Sequence, residues 1–163
     1  GELTDDGFSQ QKQLIALDDT QVAYIDIGEG PPLILLHGCP FSAYEWNEII
    51  PILARHYRVI APDLYGLGDT PVRLDQDYRL PQDVEMVRRL MDALGIASAD
   101  FIGHDHGGAI VQLLMQADPN RIQFPPEKCC RRMRCRTSRR RSVGRGCGAS
   151  SAGRWTRPTT TSP

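Results

Sequence analysis

The chain has 163 residues, of which 40% are hydrophobic and 24% charged, with a formal net charge of −1. That length suits one domain with a real core, and the absence of any run of about 18 apolar residues excludes a membrane-spanning helix. The net charge conceals a division: residues 1–124 hold 8 Lys+Arg against 19 Asp+Glu, a net of −11, whereas residues 125–163 hold 11 basic residues against Glu127 alone, a net of +10. The start carries neither a basic segment nor an apolar one, so no secretory signal is visible. The expectation is a cytoplasmic protein with no membrane partner, whose Gly1 marks a processed, tagged or incomplete beginning.

In chain order, Leu14–Leu17 reads as a short strand, and Asp18-Asp19 as a turn. Gln21–Ile27 alternates and predicts a second strand, paired with the first as a hairpin. Gly28–Pro32 breaks it. Leu33–Leu36 is a continuous apolar run bounded by turn signals, the pattern of a strand buried on both faces. His37-Gly38-Cys39-Pro40 ends it. Trp46, Ile49, Ile50 and Leu53 recur at helical spacing and predict a helix over Ala43–His56, with Pro51 in its middle. Arg58–Ala61 is another short strand, closed by Pro62-Asp63, where Asp63 fixes the following loop. From Pro81 or Gln82 a helix carries the stripe Val84, Val87, Leu90, Met91 and Leu94, with Gly95 as its stop. Asp100–Gly103 predicts a further strand, and about Ala109 to Ala117 a buried apolar helix. Alternating short apolar strands and helices indicate an α/β fold with a mostly parallel sheet, over residues 13–118.

The segment after Phe124 is of another kind. Its only aliphatic Val, Leu or Ile is Val143, so it cannot bury enough surface to offset its ordering entropy, and disorder is expected. Arg131–Arg141 holds seven arginines. Two readings fit: an arginine-rich arm that binds nucleic acid or other phosphates non-specifically, and out-of-frame translation of a GC-rich coding sequence. The abruptness of the switch favours the second. Cys129, Cys130, Cys135 and Cys147 all lie here, in a spacing unlike that of zinc sites and with no histidine after His106; free thiols are expected and no metal site.

The strongest chemical signal is Gly103-His104-Asp105-His106-Gly107, between a strand and a helix. That context is required of a nucleophile elbow, G-x-S-x-G in general form. The turn is sharp and its central residue strained, so side chains two positions before and after it would collide with nearby backbone. Here the centre is Asp105. A carboxylate is ionised at neutral pH and needs no base for activation. It would attack an electrophilic carbon and form an ester, whose hydrolysis then needs a general base. The competing reading of Asp105 is a helix N-cap. An oxyanion site would draw one N–H from His106, after the nucleophile, and one from Cys39, in the loop after the buried strand. His104 reads as packed beside the elbow, and Tyr44 and Trp46 as either lining the site's mouth or packing.

HGCP at 37–40, APDLYGLGDT at 61–70 and GHDHGG at 103–108 together resemble the α/β-hydrolase superfamily, over roughly residues 8–122. An Asp at the elbow is similar to the haloalkane dehalogenase, haloacetate dehalogenase and epoxide hydrolase group. The resemblance implies the N-terminal part of an α/β-hydrolase fold and a small-molecule substrate. It also implies a nucleophile at Asp105, an oxyanion and substrate region at His37, Gly38, Cys39 and His106, and elbow glycines at Gly103 and Gly107. No cofactor is required. Relatives usually carry Trp or Arg after the nucleophile, where this chain has His106. The superfamily order is nucleophile, acid, His, and none of the histidines (His37, His56, His104, His106) lies after residue 106. The expectation is a partial hydrolase domain over 1–124, truncated and incapable of turnover, followed by the tail 125–163.

Overall fold

The computed structural model describes residues 5–123, except 19 and 76. The expectations for residues 125–163, including the arginine run and its four cysteines, lie outside the described residues.

A short helix, α1 (Asp5–Ser9), precedes the hairpin of β1 (Gln13–Leu17) and β2 (Thr20–Ile27). These strands are antiparallel, in a register that sets Leu17 opposite Thr20. β3 (Pro32–Leu36), β4 (Arg58–Pro62) and β5 (Asp100–Gly103) complete a sheet of order β1-β2-β4-β3-β5. β4 and β5 both run parallel to β3, and β2 runs antiparallel to β4. The sheet is thus mixed, with a parallel centre.

β3 is buried on both faces, as its unbroken apolar run predicts. Ile34 and Leu36 face one core, together with Ile60 and the stripe of helix α3 (Leu80–Ala93). Leu33 and Leu35 face the other, with Phe8, Ala43, Ile50 and Val59. α3 ends as its sequence predicts. Gly95 has φ +69°, its N–H reaches the Asp92 carbonyl at 3.1 Å, and the Ile96 N–H reaches that of Met91 at 2.8 Å, the double closure of a Schellman motif.

Two helices differ from expectation. The single helix over 43–56 is instead a 3₁₀ turn (Ala43–Trp46), capped by the Ser42 hydroxyl on the Tyr44 N–H, and a separate one-turn helix, α2 (Ile50–Leu53). Pro51 stands in the first turn of α2, where its missing N–H has no helical partner to lose, so it starts a helix rather than continuing one. Helix α4 (His106–Ala117) begins three residues before the expected Ala109 and is not buried all round. Gly107, Ile110 and Leu114 face the core, whereas Met115 is exposed. Among the described residues β5 is the outer strand. Ala99, just before it, forms one parallel bridge with Ile122, through the Ala99 N–H to the Arg121 carbonyl (2.9 Å) and the Gln123 N–H to the Ala99 carbonyl (2.8 Å).

Loops at the carboxyl ends of the parallel strands are tied by one carboxylate. Asp63, fully buried, accepts the Ala43 N–H (2.7 Å) and the Asp69 N–H (2.8 Å) and pairs with the Lys12 ammonium at 2.6 Å. Burial alone would lower the Lys12 value, but Asp63 and Asp69 outweigh it and hold it above the ordinary 10.5.

Candidate active site

β5 delivers the chain into α4 through His104 and Asp105. Asp105 has φ +49° and ψ −112°, a conformation that few residues other than glycine accept. It occupies the N-cap position of α4, yet its side chain makes no capping hydrogen bond. The carboxylate turns instead to the loop after β3, where the Cys39 N–H donates to Oδ2 at 3.3 Å.

The flanking glycines are required by contact. A Cβ at Gly107 would lie 2.1 Å from the Leu36 carbonyl oxygen, and one at Gly103 would lie 2.6 Å from the Gly107 backbone. The elbow is further pinned by the Gly107 N–H, which donates to the carbonyls of His104 (2.9 Å) and His37 (3.2 Å).

The structure therefore brings Cys39, Gly38 and Asp105 together. A Cβ at Gly38 would sit 3.1 Å from the Asp105 Cβ and 3.1 Å from His104 Nδ1. His106 supplies the first N–H of α4, one of the donors that a helix leaves without an internal partner. The Cys39 side chain is exposed.

The His37 ring is fully buried and serves the scaffold. Nε2 accepts the Leu64 N–H at 3.0 Å, which leaves the proton on Nδ1 to bond the Gly38 carbonyl at 2.8 Å. His104 is pinned by Glu45, whose Oε1 lies 2.5 Å from Nδ1 while Oε2 accepts the Gly38 N–H at 2.9 Å. His104 is thus clamped beside the elbow, though its side chain remains 58% exposed.

A cavity of about 330 Å³ opens next to this cluster, lined by Cys39, His106, Leu64, Tyr65, Leu67 and Asp83. Asp83 comes from the first turn of α3 and is 3% exposed. Its Oδ1 accepts the Tyr65 N–H at 3.3 Å, and its Oδ2 lies 3.2 Å from His106 Nε2. Burial raises the Asp83 carboxyl above its ordinary value, with the His106 and Tyr65 hydrogen bonds pulling the other way. Tyr44 and Glu45 line a separate surface hollow.

The sequence model for the alpha/beta hydrolase fold matches residues 31–123, which span β3 through α4 and the whole elbow. The chain belongs to the alpha/beta hydrolase fold family. A soluble epoxide hydrolase from Corynebacterium sp. (strain C12) is 46% identical over 89 residues, covering 53% of this chain and 30% of that protein. A haloalkane dehalogenase from Mesorhizobium japonicum is 36% identical over 114 residues, 69% of this chain and 36% of that protein. Among solved structures, a meta-cleavage product hydrolase from Pseudomonas fluorescens IP01 superposes with a TM-score of 0.66 at 35% identity, over 68% of this chain and 42% of that one. The chain thus spans about a third of the length of these two curated relatives. Among the described residues of this α/β hydrolase, no helix is long and apolar enough to cross a membrane.

Two carboxylates of this hydrolase were not singled out from its sequence. Asp83 carried a readable signal: with Val87, Leu90 and Leu94 it falls on one face of α3, a charge in line with an apolar stripe. Glu45 carried none, because the turn that aims it is not a regular helix.

His37 makes a testable contribution to stability. Burial, the dominant cause, holds its value below 6.5, with the Gly38 carbonyl, Asp63 and Glu45 pulling upward. Below 6.5 the unfolded chain therefore binds more protons at this site than the folded one, and stability is lost as pH falls from that value toward the folded one. Asp83, raised, acts in the opposite direction, favouring the fold as pH falls through its folded value toward 3.8. The Tm is expected to drop between about pH 7.5 and 5.5, and His37→Gln to flatten that slope, because the amide does not titrate while its oxygen can still accept the Leu64 N–H. An equal slope in both proteins would assign the pH dependence elsewhere.

Proposed function

We propose that this chain performs Asp-nucleophile chemistry of the dehalogenase or epoxide hydrolase type, through a covalent ester. The observation that carries this reading is the Asp105 carboxylate: strained backbone, no capping bond, and one oxygen held at 3.3 Å by the Cys39 N–H. The other oxygen then attacks carbon. An O–C bond forms as the carbon–halogen bond breaks and halide leaves. With an epoxide the ring C–O bond breaks, and the alkoxide takes a proton from water. Pairing in sequence with an epoxide hydrolase and a haloalkane dehalogenase supports this pair of reactions.

The Cys39 and His106 N–H groups matter in the second half-reaction. When water adds to the ester carbonyl, negative charge develops on Oδ2, the oxygen that already faces Cys39. That step also needs a general base. Within these 163 residues no histidine follows His106, so the ester is expected to persist; loss of a base typically costs a factor of about 10²–10⁴. Residues 1–124 form the hydrolase unit and 125–163 stand outside it, a division supported by the family match ending at residue 123.

Intact-mass measurement after incubation with haloalkanes, haloacetates and epoxides tests the reading. One adduct per chain, at Asp105, is expected to be cleaved by hydroxylamine, as an ester is and a cysteine thioether is not. Repeated turnover that survives Asp105→Asn would overturn it.

A further inference from the structure

We propose that Glu45 is a positioning residue that aims the Cys39 N–H at Asp105, and so sets how fast the ester is hydrolysed rather than how fast it forms. The inference rests on Asp105 being the nucleophile and adds a residue that serves its second half-reaction.

The Cys39 N–H belongs to a peptide unit whose other end is the Gly38 carbonyl. That unit is planar, so whatever orients the carbonyl also aims the N–H. The carbonyl accepts His37 Nδ1 at 2.8 Å and the Phe41 N–H at 3.0 Å. Yet it sits on glycine, the residue least able to hold a backbone angle by itself. A side chain would be crowded there: a Cβ at Gly38 would lie 3.1 Å from the Asp105 Cβ and 3.1 Å from His104 Nδ1. Stiffness must therefore come from outside the residue.

Glu45 supplies it. Oε2 accepts the Gly38 N–H at 2.9 Å, and Oε1 lies 2.5 Å from His104 Nδ1. One carboxylate thus ties the residue before the donor to the residue before the nucleophile. Both sides of this bridge are anchored. The His104 N–H donates to the Leu36 carbonyl of buried β3 at 3.0 Å. The turn that carries Glu45 is held by the Ala43 N–H on buried Asp63 at 2.7 Å and by the Ser42 cap on Tyr44 at 3.3 Å.

The bridge matters in one half-reaction. Ester formation builds no charge on Oδ2. In hydrolysis, hydroxide adds to Cγ, the carbonyl electron pair moves onto Oδ2, and the Cys39 N–H meets that charge. The bond to the alkyl oxygen then breaks, and the leaving alkoxide takes the new carboxyl's proton and departs as an alcohol. Loosening Gly38 therefore slows the second step alone.

The test alkylates the full chain with an epoxide, removes the reagent and raises the solution to about pH 9, where hydroxide attacks without a general base. Peptide mass mapping follows formation and then loss of the Asp105 ester, while thioethers at cysteine remain. Glu45→Ala is expected to slow the loss about tenfold and to change formation by less than about threefold. Glu45→Asp, one methylene shorter, cannot reach both partners and should match it; it decides the matter if the alanine variant does not fold. Glu45→Gln should restore the loss, since its oxygen accepts the Gly38 N–H and its amide donates to His104 Nδ1 once the ring proton moves to Nε2. Hydrogen exchange at the Cys39 amide should quicken in the alanine and aspartate variants and not in the glutamine variant. Ester loss unchanged in the alanine and aspartate variants, formation and loss falling together, or glutamine as slow as alanine would overturn the positioning role while the nucleophile stands. No hydroxylamine-labile adduct at residue 105 removes the nucleophile and this inference with it.

Discussion

Gly107→Ala is expected to destabilise the fold by about 3 kcal/mol or more, while Gly108→Ala, one residue on, stabilises it by roughly 0.5–1 kcal/mol. The opposite signs follow from what each new methyl group meets. At Gly107 it would lie 2.1 Å from the Leu36 carbonyl oxygen and 2.5 Å from its carbon, and both belong to the buried strand β3. Main chain in the sheet's centre cannot swing aside as a flexible side chain would, so α4 must lift or the elbow must open. At Gly108 the nearest atom is the Gly103 carbonyl oxygen at 3.5 Å, an ordinary contact. There alanine only removes the entropic penalty of glycine inside a helix. Urea unfolding of the two variants checks the pair. Equal effects would mean that the elbow is looser than these contacts require.

Asp105→Asn is expected to leave the fold nearly intact and to reduce ester formation by a factor of about 10⁴ or more. Asn tolerates positive φ at least as well as Asp, and its carbonyl oxygen can still accept the Cys39 N–H. What it lacks is an anionic oxygen, and a neutral amide is a poor nucleophile toward carbon. The contrast with Gly107→Ala separates fold from chemistry: one substitution should lower Tm and the other should not. If Asp105→Asn instead lowered Tm by many degrees while leaving alkylation in place, the carboxylate would be structural.

Most strands and the elbow were legible because their signals are local. Leu33–Leu36, an apolar run bounded by turn signals, suggested a strand buried on both faces, and it is β3 with Pro32 added. The two glycines around Asp105 announced a backbone without room for side chains, and Gly103 and Gly107 have none. The segment 43–56 was misread for an equally physical reason. Trp46, Ile49, Ile50 and Leu53 keep a helical period, but Pro51 lets a helix start and not continue. The early start of α4 was hidden by Gly107 and Gly108, whose low helical propensity is overridden by packing against β3. The expectation that α4 is buried counted apolar residues without asking which of its faces meets the sheet. Lys12 finds Asp63 across 51 residues with no local sign, and Cys39 and Asp105, assigned to one site by their motifs, meet across 66. Only the folded sheet brings these pairs together.

Peptide mapping of the adduct by tandem mass spectrometry, on the full chain exposed to an epoxide and to a neutral haloalkane, tests the central claim most directly. The account predicts one hydroxylamine-labile ester on Asp105 with each probe, absent from Asp105→Asn. An adduct confined to Cys39 or to a histidine, or unchanged labelling in Asp105→Asn, would contradict it.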